Sequence, residues 1–96
     1  MTAHMKIKPG REAEFEAVAR EMIDAVRARE PGAIYYSLFK SDQPGDYYFM
    51  ERWADQAAID AHMTAPHVQE IMPRFMDCID GDPVMNTYEE IEQDKG

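Results

Sequence analysis

Glu51, His62 and His67 are the residues of this chain whose types and spacing could move protons. His62 and His67 flank Pro66 in AHMTAPHVQE, residues 61–70, and the only tryptophan, Trp53, stands nine residues before His62 in YYFMERWAD. Histidine takes up or gives off a proton near neutral pH. A carboxylate such as Glu51 on an apolar strand is costly without a partner. A zinc-type site would need three or four convergent ligands. On one continuous helix, residues five apart diverge by about 140°. Neither an HxxxH, an HExxH nor a cysteine cluster accompanies the histidines, and His4 and Glu51 could be recruited only by assumption. No metal is expected.

An acid–base site is better motivated. His62 falls near the C-terminal end of a short helix, where the dipole favours imidazolium, and His67 falls in the first turn of the next, where it favours the neutral ring. His62 shares an apolar stripe with Ala58 and Ile59, so it should face the sheet. The expectation is a His62–Glu51 contact, direct or through one water, in a cavity bordered by Trp53, with His67 at the rim. The bland alternative pairs Glu51 with Arg52, Lys40 or a backbone donor and leaves His67 solvated.

The elements that must position these groups follow from periodicity. Residues 2–8 alternate, with Ala3, Met5 and Ile7 on one face, and Pro9-Gly10 ends that strand. Phe15, Val18, Ala19, Met22 and Val26 repeat at helical spacing, and Arg27 and Arg29 suit the helix end before Pro31-Gly32. AIYYSLFKS and YYFMERW, joined by DQPGD, read as a hairpin. Asp55 caps a short helix over 56–63, and a second starts near Pro66 with Val68, Ile71, Met72, Phe75, Met76 and Ile79 as its stripe. Pro73 lies inside that stripe and predicts a kink or a restart. VMNTYEEI is a last strand, and 92–96 a frayed tail. The order β-α-β-β-α-β is ferredoxin-like, an α+β fold with a four-stranded antiparallel sheet in one domain, its core spanning about 3–91.

The hairpin is aromatic on both faces: Tyr47, Phe49 and Trp53 against Tyr48 and Met50, and Ile34, Tyr36 and Leu38 against Tyr35 and Phe39. Helices cover only one face in this arrangement, so the other is expected to pack on a two-fold copy, giving a homodimer. Apolar residues make up 45% of the chain, enough for a core. The net charge of −9 argues against nucleic acid and against an anionic membrane surface. Cys78 is the only cysteine and no signal-like apolar run opens the chain, so a cytoplasmic protein is expected.

The run YYFMERWADQAAIDAHMTAPHVQEIMPRF resembles the antibiotic-biosynthesis monooxygenase domain family, and within it the small quinol-monooxygenase-like proteins. The matching pieces are ERW, AAIDAH and TAPHV, with KIKPGREAEF and EPGAIYYSLF at fitting positions, over about residues 3–91. The resemblance implies a dimeric α/β barrel. It also implies a reaction without flavin, haem or metal, so no cofactor is expected. A hydroquinone or polyphenol would lose a proton to a base and reduce dioxygen directly. In that scheme His62 is base or proton shuttle and Glu51 its orienting partner. His67, Trp53, Tyr35, Phe39 and Phe49 bind the small aromatic substrate.

Haem-degrading relatives carry an asparagine and a histidine where Ala3 and Met72 stand here, which argues against haem degradation. Of the Tyr/Asn/Trp group of some polyketide-modifying relatives, Trp53 is present and Asn86 is no obvious substitute. Two other classes stay open: a non-catalytic module binding or sensing a small aromatic ligand, and an isomerase of a phosphorylated signalling molecule.

Overall fold

The structure is a computed structural model that describes residues 1–91. The expected frayed tail, 92–96, lies outside the described residues. The elements are β1 (Thr2–Lys6), α1 (Glu12–Arg29), β2 (Ala33–Lys40), β3 (Asp46–Trp53), α2 (Gln56–Thr64), α3 (Pro66–Asp77) and β4 (Val84–Asn86). The strands form one antiparallel sheet in the order β2-β3-β1-β4, the ferredoxin-like arrangement.

Register places Tyr36 opposite Glu51, Leu38 opposite Phe49 and Ala3 opposite Phe49 on the other side. Because strand side chains alternate, Ala3, Met5, Tyr36, Tyr47, Phe49 and Glu51 share the face beneath the helices, and all are buried. α1 buries Phe15, Val18, Ala19, Met22 and Val26, the five positions its spacing predicts. Rings from three elements meet there: Phe15 lies 5.0 Å from Tyr47 and 5.1 Å from Phe75, ring centre to ring centre. On the opposite face Tyr35, Phe39 and Met50 stand exposed.

Two local expectations change. α3 runs unbroken from Pro66 to Asp77 through Pro73, so the helix does not restart. Pro73 is on the solvent side, where water can serve the carbonyl its ring leaves unpaired, while Val68, Ile71 and Phe75 hold the inner side. The last strand is three residues rather than the whole of VMNTYEEI. Among the described residues its only strand partner is β1, from Thr2 to His4, and all three of its residues are exposed, so burial does nothing to extend it.

The turn between α2 and α3 follows from Pro66. Asp55 caps α2, its Oδ1 accepting from the Ala58 amide at 2.8 Å. Ala65, held extended before the proline, ends α2 and opens α3. The α1–β2 connection reaches α2 at Gly32, where a Cβ would come within 2.5 Å of the Ala58 Cβ. Only glycine fits that approach, and it brings the end of α1 against α2.

Candidate functional site

A cavity of about 250 Å³ lies between the covered sheet face and the helices. Phe49, Tyr36 and Ala3 line its floor, Phe75 and Met72 its helical side, and Met85 on β4 one edge. Six of the eight methionines line it: Met5, Met22, Met63, Met72, Met76 and Met85. Of its lining residues only Glu51, His62 and Tyr36 carry titratable groups.

Glu51 is 8% exposed. Its Oε1 accepts from the Trp53 indole N–H at 3.0 Å. Burial pushes its carboxyl pKa up; the Trp53 hydrogen bond and the nearby His62 pull the other way without cancelling it. The Tyr36 phenol is pushed up by burial, then by the charges of Glu51 and Glu30. Two groups in the site are thus biased toward their protonated, hydrogen-bond-donating forms.

His62 is the only buried residue of α2, 6% exposed. Its ring packs against Trp53, with centroids 4.7 Å apart, and against Tyr36 at 5.5 Å. The expected direct bond to Glu51 is not formed. His62 Nδ1 instead meets Glu30, at 2.9 Å from Oε1 and 3.1 Å from Oε2. Glu30 follows the last residue of α1, and the close contact at Gly32 brings it under α2. The same carboxylate receives His67 Nε2 at 2.5 Å on Oε2. All three side chains are at most 10% exposed.

This arrangement fixes which nitrogen of His62 is free. A carboxylate only accepts, so the Nδ1 facing Glu30 carries the proton. Nε2 then has a lone pair and no hydrogen bond among the described residues. No fully buried side-chain nitrogen or oxygen among those residues lacks a partner, so Nε2 is not fully buried. His62 is among the residues that line the cavity.

The remaining expected site residues divide. Phe49 lines the cavity. Trp53 does not; it fixes Glu51 from behind and borders an outer cleft between α1, α2 and α3. His67 also lines that outer cleft rather than the cavity, because its ring turns to Glu30. Tyr35 and Phe39 lie on the other sheet face, 47% and 41% exposed. Strand parity puts them there, since they alternate with the inward Tyr36. Among the described residues no group of three or more His, Cys, Asp or Glu side chains is placed to hold a metal ion.

Sequence reasoning missed Glu30 and the methionines. The signal for Glu30 was electrostatic: an acid directly after Arg29 at a helix C-terminus opposes the dipole and calls for a local partner. The signal for the cavity wall was the methionine count.

Comparison with known proteins is consistent with this architecture. The family model for "antibiotic biosynthesis monooxygenase" matches residues 1–74. The chain is 30% identical over 80 residues to the uncharacterised protein sll1783 of Synechocystis, covering 82% of this chain but only 54% of that protein's length. It is also 30% identical over 69 residues to YcnE of Bacillus subtilis, a provisionally named monooxygenase, covering 72% of this chain and 73% of YcnE. The crystal structure of a provisionally named antibiotic biosynthesis monooxygenase from Caulobacter crescentus CB15 superposes with a TM-score of 0.91 at 28% identity, over 95% of this chain and 87% of that one. No helix among the described residues is long and apolar enough to cross a membrane.

Proposed function

The chain belongs to the antibiotic biosynthesis monooxygenase family, and from that premise we propose that it is a cofactor-independent monooxygenase of small, electron-rich hydroquinones or polyphenols. One observation carries the reading: an apolar cavity lined both by His62, whose Nδ1 is held by Glu30, and by Glu51, a carboxyl that burial biases toward its protonated form. Base and acid stand apart in character because their surroundings differ, which suits a reaction that removes one proton and later returns one.

In this mechanism His62 Nε2 takes a hydroxyl proton from the bound hydroquinone. Glu51, steadied by Trp53, donates a hydrogen bond to a substrate oxygen. The electron-rich anion reduces dioxygen within the cavity, and recombination forms a carbon–oxygen bond. Cleavage of the O–O bond leaves one oxygen in the product and one in water, with the proton returned by His62. The two electrons that dioxygen needs beyond oxygen insertion come from the hydroquinone. Apolar walls exclude bulk water from the charged intermediates. Cavities of roughly 150 Å³ hold benzene. At about 250 Å³ this one suits a single substituted ring with room for dioxygen rather than a polycycle. Methionine walls adapt to varied ring substituents and make favourable sulfur–aromatic contacts.

The exposed Tyr35, Phe39 and Met50 support a further element of the reading, a homodimer joined through the open sheet face. Sedimentation equilibrium at micromolar concentration is expected to give twice the chain mass; an 11.1 kDa species alone would sink it.

Oxygen uptake by metal-stripped protein with a panel of monocyclic hydroquinones tests the reaction. The expected result is one dioxygen consumed per hydroquinone. Tight binding of the same compounds without uptake would favour a ligand-binding module instead.

A further inference from the structure

The base of the proposed reaction is joined to a second opening of the protein. His62 lines the inner cavity, His67 and Glu30 line the outer cleft, and Glu30 contacts both histidines. His67 Nδ1 has no hydrogen bond among the described residues and, like His62 Nε2, is not sealed off. One unbroken chain of atoms therefore runs from cavity to cleft. It passes through His62 Nε2 and Nδ1, Glu30 Oε1 and Oε2, and His67 Nε2 and Nδ1, with contacts of 2.9 and 2.5 Å.

We propose that Glu30 and His67 are positioning residues that form a proton relay between the inner cavity and the outer cleft. The relay rests on the oxidation reading for its purpose, but not for its existence. With one proton in each contact and one on His67 Nδ1, the buried trio is neutral overall, the arrangement that burial favours. A substrate proton bound at His62 Nε2 displaces the Nδ1 proton to Glu30 Oε1. His67, whose Nε2 keeps the proton it already donates to Oε2, then releases its Nδ1 proton to water in the cleft. One proton enters, one leaves, and the trio stays neutral. When oxygen departs as water, the flow reverses and His62 Nε2 gives up its proton. The overall reaction consumes no protons, so the relay resets without rotating any ring.

The surroundings match that role. From the sheet, Glu51 and Tyr36 face the trio, and the Met1 amino group acts on Glu51. Arg29 lines the outer cleft beside Glu30. Burial biases both anion-forming sheet groups toward their neutral forms.

The test uses the full chain without substrate. Nitrogen-15 NMR of the imidazole groups reports which nitrogen is protonated and how fast its proton exchanges with water. The expected result is His62 protonated at Nδ1, bare at Nε2, with Nδ1 exchange slowed about tenfold or more in His67→Phe, a rise in barrier of roughly 1.4 kcal/mol. Glu30→Gln is the second variant, close in shape but unable to pass a proton, and the same slowing is expected with a native amide spectrum. His62 protonated at Nε2 in the unaltered protein, or unchanged exchange in either folded variant, overturns the relay. Failure of hydroquinone turnover would count against the oxidation reading alone, since no step of this experiment measures turnover.

Discussion

Two histidine–carboxylate groupings, His4 with Asp46 and His62 and His67 with Glu30, lie on opposite sides of the sheet and show why composition alone does not make a site. On the open face, His4 Nε2 meets Asp46, with side chains 28% and 16% exposed. The His4 ring lies flat on Tyr48 at 4.3 Å, and Ser41 donates to the other Asp46 oxygen at 3.0 Å. Under the helices, His62 meets Glu30 with both side chains below 10% exposed. The first pair has only its neighbours on β1, β3 and the hairpin turn, and it braces the hairpin. The second leaves one ring nitrogen of a cavity-lining histidine without a hydrogen bond among the described residues. What separates them is burial and what the second nitrogen faces.

The largest expected effect separates the two histidines. His62→Ala removes the proposed base and should lower kcat by about 10²–10⁴-fold, the usual contribution of a positioned acid–base group. His4→Ala should leave kcat unchanged. Steady-state oxygen uptake measures both, and equal losses in the two variants would erase the distinction drawn here.

A second effect compares the two faces as surfaces. Phe39→Glu on the open face should weaken self-association by about 30-fold or more, if the ring is buried at a dimer interface. The same charge at Phe49, 2% exposed on the covered face, should instead unfold the chain. Sedimentation equilibrium and thermal melts distinguish the outcomes. A Phe39→Glu variant that associates as before would refute the open face as the interface.

The covered face was legible in the sequence because period and burial agree there. Ala3, Met5 and Ile7 alternate and are buried; the five inward positions of α1 were readable from spacing alone. His62 was legible too, as a polar residue on an apolar stripe. Its partner was not. Glu30 lies 32 residues away in sequence, at a helix end beside Pro31-Gly32, where a charge ordinarily reads as solvated. Only the close approach of Gly32 to Ala58, a tertiary fact, turns it inward. Tyr35 and Phe39 were legible as outward by parity with Tyr36, and grouping them with the cavity set aromatic character above register. Pro73 shows the converse: a strong local signal overruled by inner-side packing.

A smaller effect tests the covered carboxyl. Burial raises the Glu51 pKa, so the folded state binds protons more readily than the unfolded chain. Stability attributable to this group is therefore lost as pH rises from the ordinary value of 4.5 through the raised folded value. Glu51→Gln removes that penalty and can still accept from the Trp53 indole. Its Tm should exceed the parent's by a few degrees at pH 7, with the difference closing below pH 4.5. Calorimetry across that range checks the sign, and kcat should fall about tenfold with loss of the proton donor.

The smallest expected effect belongs to the open-face carboxyl, and its sign is opposite. The His4 hydrogen bond, then that of Ser41, holds the Asp46 carboxyl below its ordinary value of 3.8, outweighing its modest desolvation. A lowered folded pKa contributes stability that is fully present above the unfolded value and is lost as pH falls through the folded one. Asp46→Asn should therefore lower Tm slightly at pH 7, and the difference should shrink below pH 3.8. The loss should be smaller in size than the gain from Glu51→Gln, because solvent reaches this pair and screens it. Turnover should not change, since Asp46 lines none of the cavities that Glu51 and His62 border. Parallel melts of the two variants over the same pH range put the comparison in one experiment: the curves should depart from the parent in opposite directions at neutral pH and converge on it in acid. Asp46→Asn melts that rise at pH 7, or a kcat that falls with them, would show that the open-face pair is more than a brace.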